Sequence, residues 1–373
     1  MRRLRLCFVG PAQNITTRRW VQWFSRRGHE AILLTVEPAD PCDVQNFYQI
    51  DLSTRAMSHK VGRLISAARL AVNIRRFAPD IVHVHYLRGL AWGVLLSRYH
   101  PYVATPWGSD VLDEQGAFRD WAGRVLTRRV LEEADLVTAH SQYLEKQVKG
   151  LVSAVTPIAR IGWGVDLAMF RPGLDTAALR RDWNISADQQ VVFSPRLAQP
   201  FYRHELIIEA FQEVRRKAPS AVLVMTGQFA DQGYDRRLRA LVEALDLSPC
   251  VRFVGPISYN AMPLWLNLAQ IVIMVPRSDG MPNTLLEAMA CGTFPVLNRL
   301  PQYEEIIEQE RNGLLTDSFP EAISKALLKA LANVKLRQEA ARRNRDLVEA
   351  IGNQDCEMLR MEQWYDQLLE KAA

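Results

Sequence analysis

Asp279 and Glu287 stand eight residues apart in the chemically richest stretch of the chain, PRSDGMPNTLLEAMACGTFPVLNRLPQYEEIIEQERNGLL, residues 276–315. The apolar run 271–275 predicts a strand, and a loop with Asp279, Gly280, Met281 and Pro282 follows it. A helix then begins near Asn283 or Thr284 and carries Glu287 in about its first turn. Such a junction suits a phosphorylated ligand. Backbone N–H groups at a helix start favour an anion, Gly280 lets the backbone approach closely, and Glu287 can accept hydrogen bonds from two neighbouring hydroxyls, as on a ribose. The bland reading is a loop followed by an ordinary helix whose early Glu answers the helix dipole. Spacing alone leaves both open.

The histidines offer a second set of candidates. His83 and His85 alternate along a predicted strand, 80–85, and therefore share a face. Only His85, near the carboxyl end, is placed to reach a ligand, and a structural role is favoured over that of a general base. Tyr86 and Arg88 lie just beyond it. His29 falls where a helix ends, and His140 beside Ser141 points to nothing in particular.

The elements that must position these groups fall into two series. The first predicts strands at 5–9, 31–36, 80–85, 102–105 and 136–139, alternating with helices at 17–27, 60–77, 87–98 and 121–133. The second starts afresh, with strands at 190–194, 221–226, 251–254, 271–275 and 293–297 and helices between them, and ends in a long helical stretch, 319–348. The join lies between Trp163 and Asn184, where Gly164, Pro172 and Gly173 cluster. Each series predicts an open parallel sheet with helices on both faces. Ligands bind such sheets outside the carboxyl ends of the strands. Two of them facing each other across a cleft would provide two ligand sites, which suits transfer of a group from one molecule to another.

Composition excludes several classes. The 373 residues are 48% hydrophobic and 23% charged, which is globular rather than disordered. No run reaches the ~18 apolar residues of a membrane span. The basic start (Arg2, Arg3, Arg5) is followed by an apolar run too short for a signal peptide, so a cytoplasmic location is expected. Cys7, Cys42, Cys250, Cys291 and Cys356 are scattered and never form a CxxC pair, which supports neither a disulfide framework nor a metal site. The net charge of +5 is uneven: 22 basic against 14 acidic residues through Val165, then 24 against 27. Of the 46 basic residues 38 are Arg, so a general Arg bias competes with a specific anionic partner as the cause.

The 276–315 segment resembles the donor-site signature of family-4 retaining glycosyltransferases of the two-domain GT-B type. That signature runs acidic residue, seven residues, Glu, then AMA-x-G-x-PV. Here it reads Asp279, Glu287, Ala288–Met289–Ala290, Gly292 and Pro295–Val296, with Glu304 or Glu305 and Asn312–Gly313 further on. The likeness extends along the chain: Gly28–His29–Glu30, Asp80–Ile81–Val82–His83, Ala134–Asp135 through Ser141, Gly164–Val165–Asp166 with Phe170 and Pro172, and Ser194–Pro195–Arg196–Leu197.

The resemblance implies an α/β GT-B fold with two facing Rossmann-like doubly wound domains. Residues 1–168 would bind the acceptor and 169–350 the nucleotide-sugar donor, and 351–373 would form a helix returning to the first domain. Glu287 would hold the donor ribose and Asp279 the transferred sugar's hydroxyls. The backbone of Gly280, Met281, Pro282, Asn283 and Thr284 would cradle sugar and phosphate. Arg196 would neutralise the diphosphate beside Ser194, and Gly227 and Val254 would touch the nucleotide. No metal or other cofactor is expected, and the donor would be UDP- or GDP-linked.

Four departures stand out. Asp279 replaces the usual Glu, setting its carboxylate back by a methylene. The Lys expected after Arg196 is missing; Phe201 or Tyr202 stands there, with Arg203 the nearest substitute and His204 a weaker one. Trp107–Gly108–Ser109–Asp110 replaces HG-x-D, and stacking of Trp107 on a sugar is favoured over a core role. The loop after the first strand contains Asn14, Thr16 and Thr17, which could meet phosphate or acceptor; Thr16 or Thr17 as a helix N-cap is favoured.

The expected function is retaining sugar transfer to an acceptor, such as a lipid-linked or growing polysaccharide intermediate of bacterial surface glycan synthesis. Competing readings are a catalytically degenerate nucleotide-sugar-binding scaffold and a sugar-nucleotide epimerase on the same architecture. The first half carries Arg69, Arg75, Arg76, Arg124, Arg128 and Arg129 on or beside amphipathic helices, so an anionic membrane surface is a candidate partner. An ordinary solvated face is the alternative. No basic patch interleaved with aromatics suggests nucleic acid.

Overall fold

A computed structural model describes residues 2–37, 47–53, 59–112, 121–153, 155–227, 231–280 and 283–372. Cys42, Met281 and Pro282 lie outside the described residues. The chain divides into two compact units, Met1–Trp163 with Asp355–Ala373, and Gly164–Gln354. These boundaries lie a few residues from the expected ones, which fall after 168 and after 350.

The first unit runs β1 (Arg5–Val9), α1 (Ile15–Arg26), β2 (Glu30–Thr35), β3 (Phe47–Asp51), α2 (His59–Phe77), β4 (Ile81–His85), α3 (Gly93–Ser97), β5 (Tyr102–Thr105), α4 (Trp121–Glu132), β6 (Leu136–Ala139), α5 (Gln142–Lys149) and β7 (Ile158–Arg160). The strands are parallel in the order β3-β2-β1-β4-β5-β6-β7. Because side chains alternate across a strand, β1 sends Cys7 and Val9 to one face and Leu6 and Phe8 to the other. The first face packs against α2, α3, α4 and α5 through Leu70, Ile74, Val94, Val130, Leu131, Leu144 and Val148.

The second face packs against α1 through Trp20, Val21 and Phe24, and against the C-terminal helix through Met358, Met361 and Tyr365. The predicted helix 87–98 is instead a 3-10 turn, Gly89–Trp92, followed by the short α3. Gly93 explains the close approach at this point: a Cβ there would lie 2.8 Å from the Ala67 carbonyl oxygen of α2.

The second unit contains α6 (Ala177–Asp182), β8 (Gln190–Ser194), α7 (His204–Lys217), β9 (Ala221–Met225), α8 (Gln232–Ala244), β10 (Val251–Phe253), α9 (Met262–Leu268), β11 (Ile271–Met274), α10 (Asn283–Ala290), β12 (Phe294–Asn298), α11 (Pro301–Glu304), β13 (Leu314–Thr316), α12 (Pro320–Ala332) and α13 (Val334–Ile351). Its parallel order is β10-β9-β8-β11-β12-β13. One face packs on α9, α10 and α13, the other on α7, α8 and α12. The predicted single helix 319–348 breaks at Asn333, whose side chain accepts from the Leu336 N–H and caps α13.

In both sheets the first strand of the series is central and the order reverses beside it, between β1 and β4 and between β8 and β11. That reversal separates the loops leaving adjacent strands and opens a crevice at their carboxyl ends.

The C-terminal helix α14 (Gln354–Ala372) is anchored to the first unit by polar groups as well as by its apolar stripe. Gly28, in a left-handed conformation (φ 94°), closes α1 and turns His29 inward. His29 Nδ1 accepts from the Leu4 N–H (3.1 Å), so Nε2–H donates to Glu362 at 2.7 Å. Arg27 reaches the same carboxylate at 3.1 Å. Glu362→Ala would leave the buried His29 N–H without a partner, at a cost of about 2–3 kcal/mol. The expected outcome is a matching loss of stability in urea unfolding.

Candidate active site

The reversal between β8 and β11 places the loop after Ser194 next to the loop after Met274. Arg196 comes from the first and Asp279 from the second. Arg196 Nη2 meets Asp279 Oδ2 at 3.0 Å, with both side chains only 11–13% exposed. Burial pushes the Asp279 carboxyl above the usual carboxylate range; Arg196, the Tyr303 hydroxyl and the Gly280 N–H pull it back down. Burial is the largest influence on Arg196 and works against its charge, but Asp279, Tyr202 and Tyr303 together outweigh it and keep the guanidinium protonated. The guanidinium lies over the Tyr202 ring, 4.5 Å from its centroid, a favourable site for a cation. Tyr202 stands where a Lys was expected, and it supports Arg196 instead of adding a second charge.

The Asp279 loop is held from several sides. Tyr303 O–H donates to Asp279 Oδ2 at 2.9 Å, and Gln302 Nε2 donates to the Asp279 carbonyl. Asn298 Nδ2 donates to the Pro276 carbonyl at 3.0 Å, and the Arg277 N–H to the Phe201 carbonyl at 3.0 Å. Arg203, the nearest substitute for the missing Lys, is part of this scaffold. Its Nε donates to the Val275 carbonyl (2.7 Å), and Nη2 to the Pro276 carbonyl (2.6 Å) and Ser318 Oγ (3.0 Å). These carbonyls lie beyond the β11 ladder and need donors; Arg203 supplies them and is thereby committed.

Ser194 is likewise turned inward. It is fully buried, and its Oγ pairs with His204 Nδ1 at 3.2 Å, while His204 Nε2–H donates to the Leu197 carbonyl at 2.9 Å. Burial lowers the His204 pKa, so the ring stays neutral and stiffens the turn that carries Arg196.

Glu287 is the fifth residue of α10, a helix that starts at Asn283 as the sequence suggested, and is 4% exposed. Its carboxylate lies near Cys291, whose thiol is pushed up to about 12 by burial and then by Glu287. Asn283 and Thr284 form the first residues of α10. Gly227 and Val254 follow β9 and β10. The Gly227 N–H donates to the Gly255 carbonyl at 2.9 Å, and a Cβ on Gly227 would lie 3.2 Å from Gly255 Cα, so the two strand ends touch backbone to backbone.

The acceptor candidates of the first unit come together, but as packed structure. Asp110 is fully buried and accepts from the backbone N–H groups of Leu87, Trp107 and Gly108 at 2.8–3.0 Å. Tyr86, at φ 66°, meets the Trp107 ring edge-on at 5.8 Å, and Trp107 meets Trp163 at 5.5 Å. Trp107 is therefore part of an aromatic cluster and is half-buried there. His85 is 1% exposed, packs on Trp20 at 5.0 Å, and has a pKa lowered to about 3 by burial. It is a neutral core histidine. Asn14, not Thr16 or Thr17, caps α1, accepting from the Thr16 N–H at 2.8 Å.

Sequence reasoning missed Gln302 and Tyr303. Both lie inside the 276–315 stretch, just past the carboxyl end of β12, the strand next to β11. That adjacency was the signal that could have found them.

Two family models match in tandem: "Glycosyl transferase 4-like" over residues 5–141 and "Glycosyl transferases group 1" over residues 175–347. A D-inositol 3-phosphate glycosyltransferase from Nocardioides sp. is 26% identical over 86% of this chain and 75% of its own length. Its counterpart from Corynebacterium jeikeium is 26% identical over 69% of this chain and 65% of its own length, so the chain spans about two thirds of such relatives. Sucrose-phosphate synthase from Thermosynechococcus elongatus superposes with a TM-score of 0.86 at 21% identity, covering 98% of this chain and 99% of that one. HepE from Anabaena, solved with UDP and glucose, gives 0.83 at 15% identity over 98% and 100%. The two α/β units are thus of the GT-B type, and the chain belongs to the group 1, GT4-like glycosyltransferases.

Proposed function

We propose that the protein moves a sugar from a nucleotide-diphospho-sugar, UDP- or GDP-linked, to an acceptor with retention of configuration and without a metal ion. The observation that carries this reading is the Arg196–Asp279 pair at the sheet reversal, followed directly by α10 and Glu287. As the glycosidic bond breaks, negative charge builds on the leaving diphosphate, and a fixed cation in a water-poor site stabilises that charge most effectively. Arg196 can do this because its planar guanidinium matches phosphate geometry and stays charged. The N-terminal N–H groups of α10 add partial positive charge. Asp279 would accept from hydroxyls of the transferred sugar and Glu287 from those of the ribose. The leaving diphosphate would take the acceptor proton, so no protein base is required.

Asp279→Ala and Glu287→Ala should each lower release of nucleoside diphosphate from a panel of sugar nucleotides by at least ~100-fold, about 3 kcal/mol of transition-state stabilisation. Activity that survives both changes refutes the donor-site assignment.

The acceptor in this reading is a lipid-linked or growing polysaccharide intermediate of bacterial surface glycan synthesis, met at an anionic membrane face. No helix among the described residues is long and apolar enough to cross a membrane. The support is the outer layer of the first unit. There α2, α3 and α4 expose Leu64 (69%), Leu96 (55%) and Trp121 (77%), and the same helices expose Arg76, Arg124 and Arg128. Apolar side chains among arginines suit the headgroup boundary of an anionic bilayer. Flotation with phosphatidylglycerol vesicles should show binding that weakens at least ~10-fold as salt screens it. Absence of salt-sensitive binding defeats the membrane part of the reading.

A further inference from the structure

We propose that Tyr303 is a positioning residue for the donor site: its hydroxyl and the Arg196 guanidinium together occupy Oδ2 of Asp279, so that Oδ1 is the oxygen presented to the transferred sugar. This rests on the donor-site reading above and goes beyond it by naming the group that orients the carboxylate.

The geometry is specific. Both donors reach the same oxygen, Arg196 Nη2 at 3.0 Å and Tyr303 O–H at 2.9 Å. A carboxylate held through one oxygen by two donors from different elements has lost its rotation about χ2, and its second oxygen has a defined direction. Tyr303 is fully buried on the short α11, so its ring has no alternative position. The neighbouring Gln302 holds the Asp279 carbonyl, so one dipeptide grips backbone and side chain of the same residue.

The Asp279 side chain is short, and the Tyr303 hydroxyl stands within hydrogen-bond reach of its tip. Supporting groups of this kind act through the residue they orient, and a misplacement of ~1 Å costs rate more than binding.

The charged and titratable groups facing Asp279 are Arg196, the Tyr303 hydroxyl and, through Arg196, Tyr202. Removing the hydroxyl takes away a donor that favours the ionised carboxylate, so the acid limb of activity should move to higher pH.

The test is Tyr303→Phe, assayed beside the wild type with UDP- and GDP-linked hexoses. The expected result is a kcat about tenfold lower, a donor KM changed by less than about twofold, and an acid limb of the pH profile displaced upward. A variant with unchanged kcat and an unchanged acid limb overturns the proposal, as does one that loses only thermal stability. Should this variant not fold, Gln302→Met removes the same dipeptide's hold on the loop and must reproduce the fall in kcat; failure to do so overturns it equally. Calorimetric binding of the same donors between about pH 4 and 8 separates the two levels. Wild-type binding whose pH dependence is identical in Tyr303→Phe defeats the positioning role alone. Absence of donor binding by the wild type defeats the donor-site reading and this role with it.

Discussion

A guanidinium and a carboxylate shut away from water are costly separately and tolerable only together. In this protein the pair is Arg196 and Asp279, and much of the second unit can be read as the means of bringing them to 3.0 Å. They come from loops 83 residues apart, joined only because β8 and β11 are neighbours where the strand order reverses. The carbonyls left exposed by ending β11 at Met274 are taken up by Arg203 and Asn298, and the Arg196 turn is braced by the neutral His204. Tyr202, Tyr303 and Gln302 complete the surround. The result is a cation with little freedom to reorganise, which is the property that makes electrostatic stabilisation of a departing diphosphate effective.

The first unit follows the same topology with different chemistry at its reversal. His83 bonds Tyr365 Oη at 2.5 Å and Thr105 Oγ1 at 2.6 Å, tying the sheet to α14, while His85 is packed among Trp20, Phe8 and Trp163. Burial lowers the pKa of both histidines, and no charge is stored there. An ion pair marks the reversal of one sheet; at the other, aromatic rings and neutral histidines accompany the buried carboxyl group of Asp110, which is held by backbone N–H groups.

Legibility in the sequence varied with the range of the interaction. Short, nearly continuous apolar runs found β1, β4, β8 and β11, and 3–4 spacing found α2, because these signals are local. Edge elements were missed: β7 and β13 are three residues each, and β3, FYQID, mixes polar residues into a short stretch. The 87–98 stretch reads as one helix by hydrophobicity, yet splits into a 3-10 turn and α3 because Gly93 must lie against α2. Asp279, Glu287 and Arg196 fall in the loops and the helix beyond the strand ends, where the sequence placed them. The partners of Arg203 and Trp107 were not legible, because the Val275 and Pro276 carbonyls and the Trp163 ring are distant in the chain.

By itself, then, the sequence determined two parallel α/β series and the acidic pair Asp279 and Glu287 after the fourth strand of the second, because each is written in neighbouring residues. Only the tertiary structure decided which polar groups are committed and which carry the site. Tyr303 reaches Asp279 across 24 residues of chain because β12 lies beside β11, and that contact depends on register between strands, which no local pattern encodes. Oδ2 of Asp279 is thereby shared by two donors, and the identity of the oxygen left for a ligand is a property of the fold.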